Sequence, residues 1–509
     1  MNIGRQVSHG VFWVGVSTLT AQGLAFLTSL VLMRILPRSD FGLIAMATLA
    51  INALQLFREF GFGAALVYRK DRVHEAADTM FVLLFAISLI LYTIAYVTAP
   101  AISMFFNPTV DQITQRQELT QILRILALIM VVGSLGQVPL TLLAKQMAFK
   151  RRLLPDIVPE VIKDTVTIGL ALKGFGVWSL VIGQIVDITM TTILAWVVAP
   201  LRPRPAFHAG IAREMFAYGK HIQGSQILIF LITNLDNTFV GRLLGEDPLG
   251  VYSRAFNLSN LPATHITRLV GQVMFPALSK VRDNLDDLRR VFLRAVKYVS
   301  LVSVPLGITI FVFAPPFMDI LYGAKWKDAV VPMQLLVIYG VIRSIAANMG
   351  DVYKAGGKPQ WLVWIAIWRL TTMLVFLYPV TVTYGIVGVS ALSAIVAIVD
   401  FVISTFLVNR IVKTGFGDFA RILAPIFAMS LVAVAVARLV FAAIYDLYPP
   451  FALLVAGAAM VAAYAVIVLI VDAEVRQRLL SLLSEVPIGT RLLRKLGIQP
   501  RIIAPVDQP

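Results

Sequence analysis

The chain has 509 residues, 58% of them apolar and only 14% charged, whereas soluble domains hold roughly 45–50% apolar and about 25% charged residues. Its formal net charge of +16 does not make it a nucleic-acid binder, because no soluble segment is long enough to fold and gather those cations on one face. The absence of cysteine excludes disulfides, thiolate metal sites and a cysteine nucleophile, and the five histidines are scattered without ligand spacing.

Apolar stretches near the ~20 residues that cross a bilayer predict fourteen spans, at 11–33, 41–66, 79–99, 119–143, 155–173, 177–199, 219–241, 249–275, 295–316, 330–353, 360–380, 386–408, 422–444 and 451–471. The first follows Arg5 but is too long for a signal peptide and lacks a small-residue cleavage site, so it reads as span 1. Residues 204–218 predict an amphipathic linker helix, 280–298 a second charged helix, and the tail from 473 a basic amphipathic segment. Most Lys and Arg of the loops lie on the side of the N-terminus, as in Arg69, Lys70 and Arg72 or Lys150, Arg151 and Arg152. The positive-inside rule therefore places both termini in the cytoplasm.

An internal repeat runs through these spans. RILPRSDFGL (34–43) matches RLLGEDPLGV (242–251), and GVWSL (176–180) matches GVSAL (388–392), at nearly constant offset. Spans 1–6 and 7–12 are thus expected to be two copies of one unit. Six spans is an even number, so both copies insert the same way, as a parallel repeat. The expected organisation is a first lobe at 1–203, a linker at 204–218, a second lobe at 219–415, a further helix pair at 416–472 and a cytoplasmic tail at 473–509: an all-α polytopic membrane protein of two parallel-repeat six-helix lobes plus a C-terminal pair.

This plan, with RILPRSDFG in the first hairpin, FGFGAAL before the basic loop VYRKDR, LYGAKW at 321–326 and KAGGKP at 354–359, resembles the Wzx-type polysaccharide flippases, in the polysaccharide-biosynthesis branch of the multidrug/oligosaccharidyl-lipid/polysaccharide exporter superfamily. The resemblance covers essentially residues 1–472. It implies a transporter of the bacterial inner membrane that moves a polyprenyl-pyrophosphate-linked oligosaccharide by alternating access, for exopolysaccharide, O-antigen or capsule. Its implied partners are that glycan, membrane lipids, and polysaccharide polymerase and chain-length machinery. It implies no cofactor. Lipid II flippases of the superfamily line their cavity with arginines from early helices of each lobe and hold a lipid tail near helices 13 and 14.

Against that background the intramembrane charges become candidate site residues, since a mid-membrane arginine costs roughly 2.5–3.5 kcal/mol and implies water or a partner. LQLFREFGFG (54–63) sets Arg58 and Glu59 in span 2, and Arg268 holds nearly the matching place in span 8. Facing each other, the two guanidiniums would form a clamp for a pyrophosphate. The alternatives are an ion pair of Arg58 with its neighbours after a helix break at Gly61, and snorkelling of Arg268. Arg254 is an outer anchor or gate contact. Arg343 and Arg369 extend the basic path or pair with Asp351 or Asp400. Glu59 and Asp236 are the candidates for ion coupling, while Asp187 and Asp400 read as lobe-internal salt-bridge partners and Glu160, Lys163 and Asp164 as mutually satisfied. Gly61 and Gly63 are candidate hinges.

Two competing functions are weighed. A cation-coupled multidrug exporter of the same superfamily commonly has twelve helices and an acidic cavity. A membrane polymerase or ligase needs an acid, base or metal site on an extramembrane loop, and the outer loops here are short, with few carboxylates and no histidine. AGGKP lacks the GxxxxGK[ST] pattern of a phosphate-binding loop and reads as a turn.

Overall fold

The computed structural model describes residues 20–107, 113–199, 202–261 and 284–477, with a few isolated positions between 274 and 281. Every regular element among them is helical. The helices are α1 (Thr20–Ile35), α2 (Arg38–Glu59), α3 (Phe62–Tyr68), α4 (Val73–Phe106), α5 (Ile113–Leu126), α6 (Leu128–Lys145), α7 (Phe149–Leu172), α8 (Val177–Val198), α9 (Ala209–Leu244) and α10 (Glu246–Ser259). After them come α11 (Leu285–Phe317), a π turn (Met318–Tyr322), a 3-10 turn (Ala324–Ala329), α12 (Val330–Ala355), α13 (Gln360–Val412), α14 (Phe416–Ile444) and α15 (Pro449–Val471).

Ten helical segments among the described residues are long and apolar enough to cross a membrane. Helices satisfy their backbone groups internally, as a bilayer core demands. At 53 residues, α13 would be about 80 Å long if straight, far more than the ~30 Å hydrocarbon core. Its backbone breaks at Gly385, with φ 58° and ψ −148°, between the predicted spans 360–380 and 386–408. By contrast α7 carries Lys150, Arg151, Arg152, Asp156, Glu160, Lys163 and Asp164 and is too polar to be counted with the ten.

The structure joins elements that the sequence separated in two places. The predicted linker helix and span 7 are one 36-residue helix, α9, starting at Ala209. The predicted charged helix 280–298 and span 9 likewise merge into α11, opened by the Asn284 side chain, which accepts from the backbone N–H groups of Asp286 and Asp287. Span 2 is interrupted where the alternative reading of Arg58 put a helix break, at Gly61. Phe60 and Gly61 both adopt left-handed backbone (φ 38° and 71°), ending α2 and starting α3. The break packs on α9 through glycine: a Cβ on Gly61 would stand 2.8 Å from the Gly219 Cα, and one on Gly219 would overlap the carbonyl oxygen of Phe60.

The described residues divide into two bodies, one from those up to Leu258 with Leu321–Leu336 and Gln360–Val396, the other from those between Ser259 and Ile320 with Val337–Pro359 and those from Ala397 onward. In the first, Phe62, Leu66, Met80, Leu84, Leu142 and Met215 join α3, α4, α6 and α9 in a buried cluster. There α2 and α10 also cross at Gly42 and Gly250: a Cβ on Gly42 would overlap the carbonyl oxygen of Glu246, and one on Gly250 that of Arg38. In the second, α11 packs on α14 through the Phe292–Phe419 and Phe313–Phe441 edge contacts, with ring centroids 6.0 and 5.8 Å apart.

Candidate functional site

Arg58 occupies the last turn of α2 and is only 6% exposed. Its Nη1 donates to the Met130 carbonyl at 3.4 Å and its Nη2 to Glu59 Oε1 at 3.3 Å. Adjacent helical residues normally diverge, but Glu59 is the final residue of α2, directly before the left-handed Phe60. Its side chain is 55% exposed. The Nε of Arg58 meets no acceptor among the described residues. A guanidinium carries five N–H donors; among the described residues this one uses two, both at long range, and so keeps capacity for an anion. Gly133 makes its room: a Cβ there would lie 3.2 Å from Arg58 Nη1.

Met130, Gly133, Gln137 and Thr141 recur at three- and four-residue spacing along α6, so they form one stripe. The stripe leads from the guanidinium to a cavity of about 580 Å³, whose lining includes Gly63, Tyr68, Gln137, Thr141, Arg152 and Tyr218. That volume falls within the roughly 300–1,000 Å³ usual for ligand sites. At the end of α6, the Lys145 ammonium donates to the carbonyls of Leu66 and Val67, each at 3.0 Å, and to that of Arg69. It thereby answers the unsatisfied carbonyls at the end of α3. The Tyr68 and Tyr218 rings stack at 5.4 Å. Gly61 sits in the α2–α3 break. Gly63 lies within α3 with open space beside it, its nearest neighbour for a Cβ being Thr141 Oγ1 at 3.8 Å.

Arg268 lies outside the described residues. Asp236 is buried in α9, where its Oδ2 accepts from the Tyr252 hydroxyl at 2.6 Å and its Oδ1 from the Asn237 backbone N–H at 2.8 Å. Arg254, in α10, sets its guanidinium 4.7 Å from the centre of the Phe41 ring, far along α2 from Arg58. Arg343 donates to the Tyr339 hydroxyl at 3.0 Å in the second body, whereas Arg369 belongs to the first. Asp351 pairs with Lys354 at 3.2 Å. Lys163 contacts Glu160 and, at 3.8 Å, Asp164.

Sequence reasoning passed over Arg38, at the end of α2 opposite Arg58. It reaches Asp247 at 2.8 Å and Asp328 at 2.7 Å. Beside it Lys325 donates to the carbonyls of Arg34 (3.2 Å) and Leu36 (2.5 Å), and the indole of Trp326 to that of Met33 (2.8 Å). The repeat match between 34–43 and 242–251 was the sequence signal for part of this cluster. Nothing local tied it to LYGAKW.

Among known proteins, the polysaccharide biosynthesis protein family matches residues 31–331. The chain is 26% identical over 421 residues to the teichuronic acid biosynthesis protein TuaB of Bacillus subtilis (strain 168), covering 81% of this chain and 84% of that protein. It is 24% identical over 414 residues to the succinoglycan biosynthesis transport protein ExoT of Rhizobium meliloti (strain 1021), covering 81% and 79%. Its fold is similar to that of the lipid II flippase MurJ in an inward closed conformation, with a TM-score of 0.70 at 13% identity over 91% of this chain and 99% of that one. An inward-facing multidrug resistance MATE transporter of the MOP superfamily follows at 0.61 and 18% identity, over 80% and 99%.

Proposed function

The chain belongs to the polysaccharide biosynthesis protein family, and from that premise we propose that it carries a polyprenyl-pyrophosphate-linked oligosaccharide from the cytoplasmic to the outer leaflet of the bacterial inner membrane. The observation that carries this reading is the buried guanidinium of Arg58, its Nε without an acceptor among the described residues, on the α6 stripe that continues into the cavity lining. Desolvated guanidinium forks suit a pyrophosphate, to which they donate paired hydrogen bonds. The cavity offers stacked tyrosines with amide, hydroxyl and guanidinium donors, a lining suited to sugars. The names of TuaB and ExoT support a polysaccharide product and, for ExoT, transport. The likeness to MurJ and the MATE transporter supports a transporter fold.

In this reading Arg58 and Arg268 clamp the anion as two lobes rock, and Glu59 and Asp236 respond to the coupling ion. Gly61 absorbs the bend, because its left-handed backbone already interrupts the helix. Helices α14 and α15 shelter the polyprenyl tail, and both termini are cytoplasmic. Division of α13 at Gly385, together with α1, α7 and α10 as further crossings, supports fourteen spans. The reciprocal glycine contact between α2 and α10 supports two copies related by a two-fold. A polymerase and chain-length machinery would take up the exported glycan.

A strain lacking this protein should accumulate lipid-linked repeat units facing the cytoplasm. The wild-type chain should clear them and Arg58→Ala should not, at equal membrane abundance. Unchanged glycan export in the deletion strain, with lost resistance to cationic drugs, would instead select the multidrug reading.

A further inference from the structure

A groove of about 480 Å³ opens at the α2–α3 break, with Phe60, Phe62, Leu83, Ile87 and Phe216 among its lining. Two cations of α9, Arg213 and Lys220, also line it. Seven residues apart on one helix, they share a face about 10 Å apart along the axis. Both are exposed, and among the described residues neither side chain makes an ion pair. The one carboxylate between them, Glu214, is held by Arg69 at 2.9 Å. An apolar groove that also carries two exposed cations without ion pairs among the described residues complements an anionic amphiphile rather than a soluble anion or a zwitterion.

We propose that this groove is a binding site for an anionic glycerophospholipid, its acyl chain against the phenylalanines and its phosphate between Arg213 and Lys220. The bound lipid braces the helix break. Phe60 holds φ at 38°, a sparsely populated region for an aromatic residue, while its ring stacks on Phe216 at 4.6 Å and 13°. An acyl chain packed on these two rings favours that stacked arrangement over a straightened α2–α3, and Arg58 lies only two residues before Phe60. Lipid occupancy is thereby coupled to the placement of Arg58. The lipid assignment itself is independent of which glycan, if any, the protein carries.

The test is native mass spectrometry of the full chain released from nanodiscs of phosphatidylethanolamine, phosphatidylglycerol and cardiolipin, with no glycan substrate present. The wild-type chain should retain the anionic lipids in preference to phosphatidylethanolamine. Arg213→Ala with Lys220→Ala should reduce that retention about tenfold at an unchanged melting temperature in lipid-free detergent, and Phe216→Ala should reduce it with both cations intact. Equal retention of anionic and zwitterionic lipid by the wild-type chain, or full retention by the double variant, would overturn the site. Displacement of phosphatidylglycerol by equimolar undecaprenyl pyrophosphate would reassign the groove to the transported lipid and overturn it as well.

Discussion

Gly42 and Gly250 stand in reciprocal contact: each presses its α-carbon onto the backbone carbonyl that lies four residues before the other. Glu246 precedes Gly250 by the same four residues as Arg38 precedes Gly42, within the two stretches that match in sequence. A two-fold operator relating two copies imposes this kind of reciprocity, and small residues at helix crossings let membrane helices approach closely.

Because the opposing atoms are backbone and cannot rotate away, Gly42→Ala and Gly250→Ala should each destabilise the protein by about 1–3 kcal/mol or more. Gly224→Ala, inside α9 with nothing near its added methyl, should be neutral or stabilising by up to about 1 kcal/mol. Thermal unfolding in detergent compares the three. Equal melting of Gly42→Ala and Gly224→Ala would show that the crossing can relax.

Arg58→Ala should abolish glycan export, and Arg58→Lys should restore only part of it, because a lysine ammonium cannot make the two parallel bonds of a guanidinium. Gly133→Ala tests the pocket without touching charge. Its methyl, 3.2 Å from Nη1, should displace the guanidinium and lower export severalfold while the protein still inserts. Export by Gly133→Ala at the wild-type rate would mean the observed position of Arg58 is not the working one.

The proposed orientation predicts that Lys327, beside the Arg38 cluster, faces outward and Asp71 faces the cytoplasm. Since the chain has no native cysteine, Lys327→Cys and Asp71→Cys each provide a single label site. An impermeant maleimide added to whole cells should modify the first and spare the second. The opposite pattern would invert the topology.

At the base of α15, Lys297 reaches Asp472 at 2.8 Å and Glu474 at 2.9 Å. Burial works to raise both carboxyls, yet the hydrogen bonds and charge of the Lys297 ammonium outweigh it and hold them below their ordinary values. A depressed folded pKa means that the stabilisation is complete above the unfolded values, about 4. It disappears as pH falls through the folded ones. Lys297→Met should therefore cost on the order of 1 kcal/mol at pH 7, and the gap in melting temperature from wild type should close below about pH 4. A gap that does not narrow at all as pH falls below 4 would assign the effect to packing.

Hydropathy and charge are sums over neighbouring residues, so the sequence by itself determined the membrane class, the approximate placement of most apolar helices, the break within the long run 360–408 and the match between 34–43 and 242–251. It also marked Arg58 and Glu59 as anomalous, because a charge in an apolar run is visible without knowing what surrounds it. Only the tertiary structure decided what they touch. Arg58 meets a carbonyl 72 residues away and room left by Gly133. The close approach of Gly219 in α9 to the Phe60 carbonyl is a contact that no local propensity encodes. The joining of Arg38 to Asp328 across 290 residues, and the seating of Arg254 over the Phe41 ring, likewise depend on how helices pack, which hydrophobic periodicity leaves open.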